Sequence, residues 1–265
     1  MPISDAATAP DADKPFIIVE HDASNPPERL ADWLSAAGAS YVVVKPHAGE
    51  PLPTDLSPYA GILMLGGQQV AQRVDDEHFP WRQASLDMLR TAISQKVPTL
   101  AVCLGSQLLA IAGGGTVERG DQGKELGHGL VARRDASYQD PLFIDLPMTP
   151  DVMQFHGDVV TVLPPGATLL ATGAVYQNQA FRIGDNAWGM QFHIETEPQT
   201  YAEWFEVGRD RLEQKGYDVD GMIERAVRYH EDMPGVWAPF IAKFVDIAAK
   251  ASREVGSHAA AEDDR

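Results

Sequence analysis

Cys103 is the only cysteine in the sequence, and it stands at a junction. The apolar run Pro98-Thr99-Leu100-Ala101-Val102 leads into it. Leu104-Gly105-Ser106-Gln107-Leu108-Leu109-Ala110 follows with a helical pattern that stops at Gly113-Gly114-Gly115. A strand that turns at once into a helix exposes the residue at the corner, and Gly105 leaves room for the tight approach. The N-terminus of the helix offers partial positive charge and unpaired N–H groups, which favour a thiolate and can hold an oxyanion. A lone cysteine is usually an inert core residue; the strand–helix corner argues instead for a nucleophile.

A sulfur nucleophile needs a base, and the base needs an orienting group. Gln191-Phe192-His193-Ile194-Glu195 ends a second apolar run. On an extended strand His193 and Glu195 project to one side, while Phe192 and Ile194 face the core. A carboxylate at that spacing fixes the imidazole tautomer and stabilises its charged form, although a His–x–Glu pair alone fits a surface ion pair equally well. The third segment is Met64-Leu65-Gly66-Gly67-Gln68-Gln69. Paired glycines at a strand end let backbone N–H groups approach a carbonyl oxygen without a Cβ in the way; an isolated Gly-Gly is more often an ordinary turn. Read together, Cys103 is the nucleophile, His193 the base and acid, Glu195 its orienter, and the N–H groups of Gly67 and Leu104 the oxyanion donors.

The elements that must position these residues follow from periodicity. Phe16–Val19, Tyr41–Val44, Gly61–Leu65 and Pro98–Val102 are apolar throughout. Helical stretches separate them: Pro26–Ala37, with Asn25 as the capping residue and Gly38 as the stop, and Pro80–Gln95, with Leu86, Leu89 and Ile93 on one face. Such alternation indicates a parallel sheet covered on both faces. From Thr116 to His193 shorter strands follow Gly- and Pro-rich turns: Leu126–Arg133, Ala167–Thr172, Gln179–Ile183 and Ala187–Phe192. They predict partly antiparallel additions to the sheet. Helical patterns over Thr200–Lys215, Asp220–His230 and Val236–Lys250 predict a helical extension packed on the α/β body. Trp204, Phe205, Tyr229, Trp237, Phe240 and Phe244 lie there at helical spacings and read as core or as a partner interface. Residues 1–14 and 251–265 read as disordered tails.

Composition excludes several functions. With 44% hydrophobic and 22% charged residues the chain reads as globular, and its 23 Gly and 19 Pro stay well short of low complexity. Lys and Arg number 21 against 38 Asp and Glu, a net charge of −17 with a pI near 4.7. Phosphate backbones and anionic lipid repel such a chain, so neither nucleic acid nor membrane is expected as a partner. No run of about 18 apolar residues appears, and the first residues lack a secretory pattern, so a cytoplasmic location is expected. One cysteine leaves neither an intramolecular disulfide nor a Cys-cluster metal site. His21, His47, His78 and His230 show no metal-ligand spacing. No metal and no organic cofactor is expected. His128, in Glu125-Leu126-Gly127-His128-Gly129, fits either an exposed turn or the edge of a pocket.

Four motifs, Gly-Gly-Gln at 66–68, Cys-Leu-Gly-Ser-Gln at 103–107, Phe-His-Gly-Asp at 155–158 and Gln-Phe-His-Ile-Glu at 191–195, resemble those of the class I (triad) glutamine amidotransferase family in identity, order and separation. The resemblance covers roughly residues 16–200. It implies a flavodoxin-like three-layer α/β/α sandwich over 15–200, with 201–250 as the helical extension. It also implies a Cys103–His193–Glu195 triad and a substrate pocket formed by Gly66, Gln68, Gln107, His156, Gly157 and Asp158. The segment His156-Gly157-Asp158 reads equally as a turn that holds the strand Val159–Val162. One departure stands out: the family usually has proline where this chain has Ile194. The implied reaction is hydrolysis of the glutamine γ-amide through a γ-glutamyl thioester, giving glutamate and ammonia for an acceptor. The same triad would serve a γ-glutamyl peptidase or γ-glutamylamine hydrolase, and a non-catalytic module that kept the fold is the third reading. Family members are fused to, or paired with, a synthase that uses the ammonia. Neither a Gly-x-x-x-x-Gly-Lys loop nor a synthase-sized segment is present in the sequence, so a synthase or acceptor subunit would be a separate chain.

Overall fold

All four residues of the strand Phe16–Val19 are buried, and they point alternately into two separate apolar clusters: Phe16 and Ile18 into one, Ile17 and Val19 into the other. A strand so placed must be covered on both faces. The computed structural model describes residues 14–74 and 77–263. Its elements run β1 (Phe16–Val19), α1 (Glu28–Ala36), β2 (Tyr41–Val44), β3 (Ile62–Met64), α2 (Arg82–Gln95), β4 (Thr99–Val102), α3 (Leu104–Ala112), β5 (Thr116–Arg119), β6 (Glu125–Leu130), β7 (Ala132–Arg133), β8 (Asp151–His156), β9 (Asp158–Val162), β10 (Thr168–Thr172), β11 (Ala180–Ile183), β12 (Ala187–Met190), α4 (Pro198–Glu213), α5 (Val219–His230) and α6 (Met233–Asp263).

The main sheet has the order β2-β1-β3-β4-β12-β11-β10-β7. It is parallel from β2 to β12 and antiparallel beyond. Helices α2 and α3 cover one face over Ile17, Val19, Ile62, Met64 and Ala101. Helices α1 and α6 cover the other, where the Phe244 ring lies 5.8 Å from Phe16 and 6.1 Å from Trp188. The fold is the expected three-layer α/β/α sandwich with a mostly parallel sheet and a helical C-terminal region. The register matters most for the site. Met64 pairs with Ala101, and Met190 with Val102, so β3, β4 and β12 end level with one another. Their carboxyl ends deliver Leu65–Gly67, Cys103 and Gln191–Glu195 to one edge of the sheet, where ligands of open α/β sheets bind.

Several expectations shift. Tyr41 and Val42 are exposed because β2 is an edge strand, covered less than the central ones. Leu126–Arg133 splits in two: β6 pairs with β8 in a separate small ribbon, and β7 joins the edge of the main sheet. The strand expected to run to Phe192 ends at Met190; from there the chain leaves the sheet, and His193 makes an isolated antiparallel bridge to Met153. Helix α1 starts at Glu28, and Asn25 does not cap it. Helix α6 continues through Asp263, past the Lys250 at which it was expected to stop, over an Ala-rich stretch with no proline to end it. Except for Lys14, the expected N-terminal tail lies outside the described residues.

Gly105 shows how tightly α3 is set against the sheet. A Cβ there would lie 2.2 Å from the Met64 carbonyl oxygen and 2.9 Å from its carbon, both backbone atoms that cannot swing aside. Gly105→Ala must push α3 off β3 and is expected to lose roughly 2–3 kcal/mol of unfolding free energy. Urea titration measures this; a midpoint equal to that of the unmodified protein would refute the close approach.

Candidate active site

Cys103 occupies the turn between β4 and α3 with φ 51° and ψ −110°, a conformation that is strained for any residue with a side chain. Three bonds hold it there: its N–H donates to the Met190 carbonyl (2.8 Å), and its own carbonyl accepts from Ser106 Oγ (2.8 Å) and the Gln107 N–H (3.0 Å). Gln191 Nε2 lies 3.8 Å from Cys103 Sγ. Cys103 and His193 line the same cavity.

His193 Nδ1 donates to Glu195 Oε1 at 2.6 Å. Both residues are almost wholly withdrawn from solvent, at 2% and 0% exposure. The Glu195 carboxylate is fully engaged. Oε1 also accepts from Asn25 Nδ2 (3.0 Å), and Oε2 accepts from the Ile194 backbone N–H (2.9 Å). That last donor exists because residue 194 is not proline, which has no N–H to give. Phe192 and Ile194 are buried in the apolar layer, as the alternation predicted. Burial pushes the His193 imidazole down, but the Glu195 carboxylate, and after it the Cys103 sulfur, outweigh burial and raise it to about 10. Burial likewise pushes Glu195 up, and the His193 charge and the hydrogen bonds hold it below its ordinary value.

The loop between β1 and α1 forms the third side. Asp22 Oδ2 accepts from the Gln68 N–H (3.4 Å) and from Gln69 Nε2 (3.1 Å), and Gln68 Nε2 donates to Ser24 Oγ (3.1 Å). His21 lies inside, with Nδ1 at 3.1 Å from the Leu65 carbonyl, and burial lowers it to about 4. It is a neutral structural histidine. Cys103, His193, Gly67, Gln68 and Asn25 line one cavity of about 790 Å³ that continues along α4. Trp204 of α4 forms its wall: the indole meets the His193 ring edge to face at 4.8 Å, and Nε1 donates to the Ser24 carbonyl at 2.7 Å. Trp204, read as core or partner interface, packs against the core and also walls the cavity. Helical spacing does not distinguish a core face from a cavity wall.

Of the other expected pocket residues, Gly66 stands beside Cys103: a Cβ there would lie 3.3 Å from Cys103 Cβ and 3.1 Å from His193 Cε1. Gln107 Nε2 donates to the Asp158 carbonyl (2.9 Å) and to Gln191 Oε1 (3.2 Å), which commits both its N–H groups inside the protein. His156 contacts Glu125 and Gln154, each at 3.1 Å. Asp158 pairs with Arg119 at 3.2 Å, and the Arg119 guanidinium fills the space beside Gly157. His128 is stacked on Tyr229 at 3.5 Å and bonded to Asp151 at 2.6 Å, away from the cavity. Among the described residues no group of His, Cys, Asp and Glu is arranged to hold a metal ion, and no helix is long and apolar enough to cross a membrane.

Residues 27–207 match the family described as Glutamine amidotransferase class-I. The chain belongs to that family. A crystal structure of a glutamine amidotransferase from Thermotoga maritima superposes with a TM-score of 0.77 at 29% identity, over 88% of this chain and 98% of that one. The glutamine-hydrolysing GMP synthase of Porphyromonas gingivalis is 33% identical over 160 residues, 59% of this chain and 28% of the synthase. Gamma-glutamyl peptidase 4 of Arabidopsis thaliana is 29% identical over 147 residues, 55% of this chain and 57% of the peptidase. The match to GMP synthases thus spans about a third of their length or less, 28% to 34%.

In this family member the His193–Glu195 pair sets a pH window. The folded value of His193 lies above its ordinary 6.5, so its contribution to stability is complete below about 6.5 and is lost as pH rises through about 10. Glu195 is depressed, so its contribution is present above the ordinary carboxylate range and is lost in acid. Replacing Glu195 with Gln removes the largest raising cause, and the imidazole should then titrate lower. NMR titration of the His193 ring reads this directly; an apparent pKa still near 10 would show that Glu195 is not the partner that sets it.

Proposed function

We propose that this chain hydrolyses the γ-amide of glutamine through Cys103, His193 and Glu195. The observation that carries the reading is a strained strand–helix cysteine and a buried imidazole that face one cavity, with a carboxylate bonded to the imidazole. The Cys103 thiolate adds to the amide carbon, and the carbonyl electrons move onto oxygen. The Gly67 and Leu104 N–H groups are the donors for that oxyanion. Among the described residues neither has an acceptor within the protein, whereas the neighbouring Gln68 N–H is already given to Asp22. As the oxyanion collapses, the C–N bond breaks and protonated His193 gives its Nε2 proton to the departing nitrogen. Ammonia leaves and a γ-glutamyl thioester remains. Neutral His193 then takes a proton from water, hydroxide adds to the thioester, and glutamate departs as the thiolate is restored. Glu195 keeps its charge throughout and steadies the imidazolium. Gln68 lines the cavity, while the Gln107 N–H holds the Cys103 carbonyl and the Gln107 side chain reaches Asp158. A synthase that accepts the ammonia is the natural partner, as the similarity to glutamine-hydrolysing GMP synthases suggests.

A second reading, hydrolysis of γ-glutamyl peptides or amines, is favoured by the reach of the cavity. Beyond His193 it continues past Trp204 to Lys124 and Arg211, so a leaving group larger than ammonia has room. The similarity to a γ-glutamyl peptidase points the same way. Amine release from glutamine and from a γ-glutamyl dipeptide panel, compared as kcat/KM, separates the two.

Cys103→Ala is expected to fold with an unchanged melting profile and to lose roughly 10³-fold or more of its activity. Rapid acid quench of the unmodified protein with glutamine should trap a γ-glutamyl adduct on Cys103, seen by mass spectrometry. Residual turnover at the unmodified rate in the variant would overturn the assignment.

A further inference from the structure

Helix α4 carries Trp204, Gly208 and Arg211 on one row, at spacings of four and three residues, and all three line the cavity that holds Cys103 and His193. Gly208 stands in mid-helix, where glycine weakens the helix. A Cβ there would meet only Leu212, at 3.7 and 3.9 Å, which is ordinary contact. The row is therefore open between the indole and the guanidinium, over about 10 Å of helix axis. Helical side chains lean toward the N-terminus, so Arg211 reaches back along this opening. What is left suits one or two extended residues, at about 3.3 Å each.

The opening lies on the side of the leaving group. His193 hands its proton to the departing nitrogen, and the Trp204 indole meets the His193 ring at 4.8 Å. The Phe155 ring follows at 5.4 Å from Trp204, and Lys124 Nζ stands 6.0 Å from the Phe155 centroid. An apolar wall thus runs from the imidazole to an ammonium. Burial, and after it the charges of Arg119, Arg211 and Lys215, hold Lys124 below its ordinary value, so cations crowd this end of the cavity in a chain of net charge −17. Arg119 is paired with Asp158 at 3.2 Å. Among the described residues Lys124, Arg211 and Lys215 have no ion-pair partner. The carboxylates of the cavity, Glu203, Glu206 and Asp210, belong to the neighbouring row of α4, and Glu206 is spent on Arg209 at 2.6 Å. Unpaired cations at the end of an apolar wall fit an anion presented on a short chain.

We propose that Lys124 and Arg211 bind a carboxylate on the leaving amine, so that the triad acts on γ-glutamyl amino acids and short γ-glutamyl peptides. The proposal rests on the triad reading above and names the leaving group for it. The released amino acid takes the His193 proton as ammonia does, and the same thioester remains. Ammonia leaving from glutamine touches neither cation. The glutamyl α-carboxylate is the other carboxylate of such a substrate; it stays with the acyl half, which glutamine shares.

The test measures kcat/KM for γ-glutamylalanine and γ-glutamylalanylglycine, each as the free acid and as the carboxamide, with glutamine alongside. The free acid should be preferred by about fivefold for at least one of the two lengths, and molar salt should shrink that preference. With Lys124→Gln and Arg211→Gln combined, the preference should vanish, mainly through KM, and the free acid should lose more than glutamine. Gly208→Leu, which fills the opening, should lower kcat/KM for the peptides more than for glutamine; an equal fall on both would refute the opening. Melting curves check the fold, and the single substitutions make the same comparison should the double variant fail to fold. An acid-to-carboxamide ratio near one in the unmodified protein, or a preference that survives both substitutions, overturns the subsite. An equal loss on glutamine and on the free acid would place the α-carboxylate at the cations and overturns it too. Activity on glutamine with none on any peptide removes this proposal and leaves the triad reading standing, whereas inactivity on every substrate removes both.

Discussion

Glu195 is a carboxylate with no exposed surface. A charge in that position must be paired and hydrogen-bonded, because removing one partner leaves the other uncompensated in a poorly solvated interior. Three donors meet the requirement: the His193 ring, the Asn25 amide and the Ile194 backbone. Each arrives from a different constraint. His193 is held by reciprocal backbone bonds with Met153, at 2.8 and 3.1 Å. The backbone carbonyl of Glu195 accepts from the Arg29 N–H at 3.1 Å, which ties the start of α1 to the same segment. Glu28 fastens it further by accepting from the Glu197 N–H at 2.6 Å and from the Thr200 hydroxyl. The segment around Glu195 is thus tied to β8, to the start of the first helix and to the start of α4.

Cys103 is positioned by a different force, backbone geometry. Level strand ends bring β3, β4 and β12 together, and the close contact of Gly105 with Met64 keeps α3 directly behind Cys103. Behind the sulfur lies a buried chain of amides. Gln107 donates to Gln191, Gln154 donates to Gln179 at 3.0 Å, and Gln179 donates to Glu125 at 2.7 Å. Such networks stabilise a site when every member is satisfied and hold its geometry against drift. They explain why residues with substrate-binding chemistry, Gln107 and His156 among them, are spent on support.

The C-terminal helices do two separate things. Helix α6 closes one face of the sheet through Phe244, Trp237 and their neighbours, so it belongs to the sandwich. Helix α4 faces the cavity, and its Trp204 touches both the imidazole and the Ser24 carbonyl. Its other face, through Tyr201, Phe205 and Leu212, packs into the core.

The sequence by itself determined the central strands, the strand–helix corner at Cys103 and the shared direction of His193 and Glu195. These are properties of neighbouring residues: an unbroken apolar run, a junction of two periodicities, a spacing of two. It also determined which residue types could perform acyl transfer. Only the tertiary structure decided that Asn25 serves Glu195, 170 positions away, in place of capping its own helix. Only there does Trp204 become a cavity wall, and only there are both N–H groups of Gln107 taken by the protein. A capping residue, a core aromatic and a substrate amide carry the same local pattern as what these three became. The difference lies in which distant backbone or side-chain atom arrives to meet them, and chain crossing fixes that where periodicity does not.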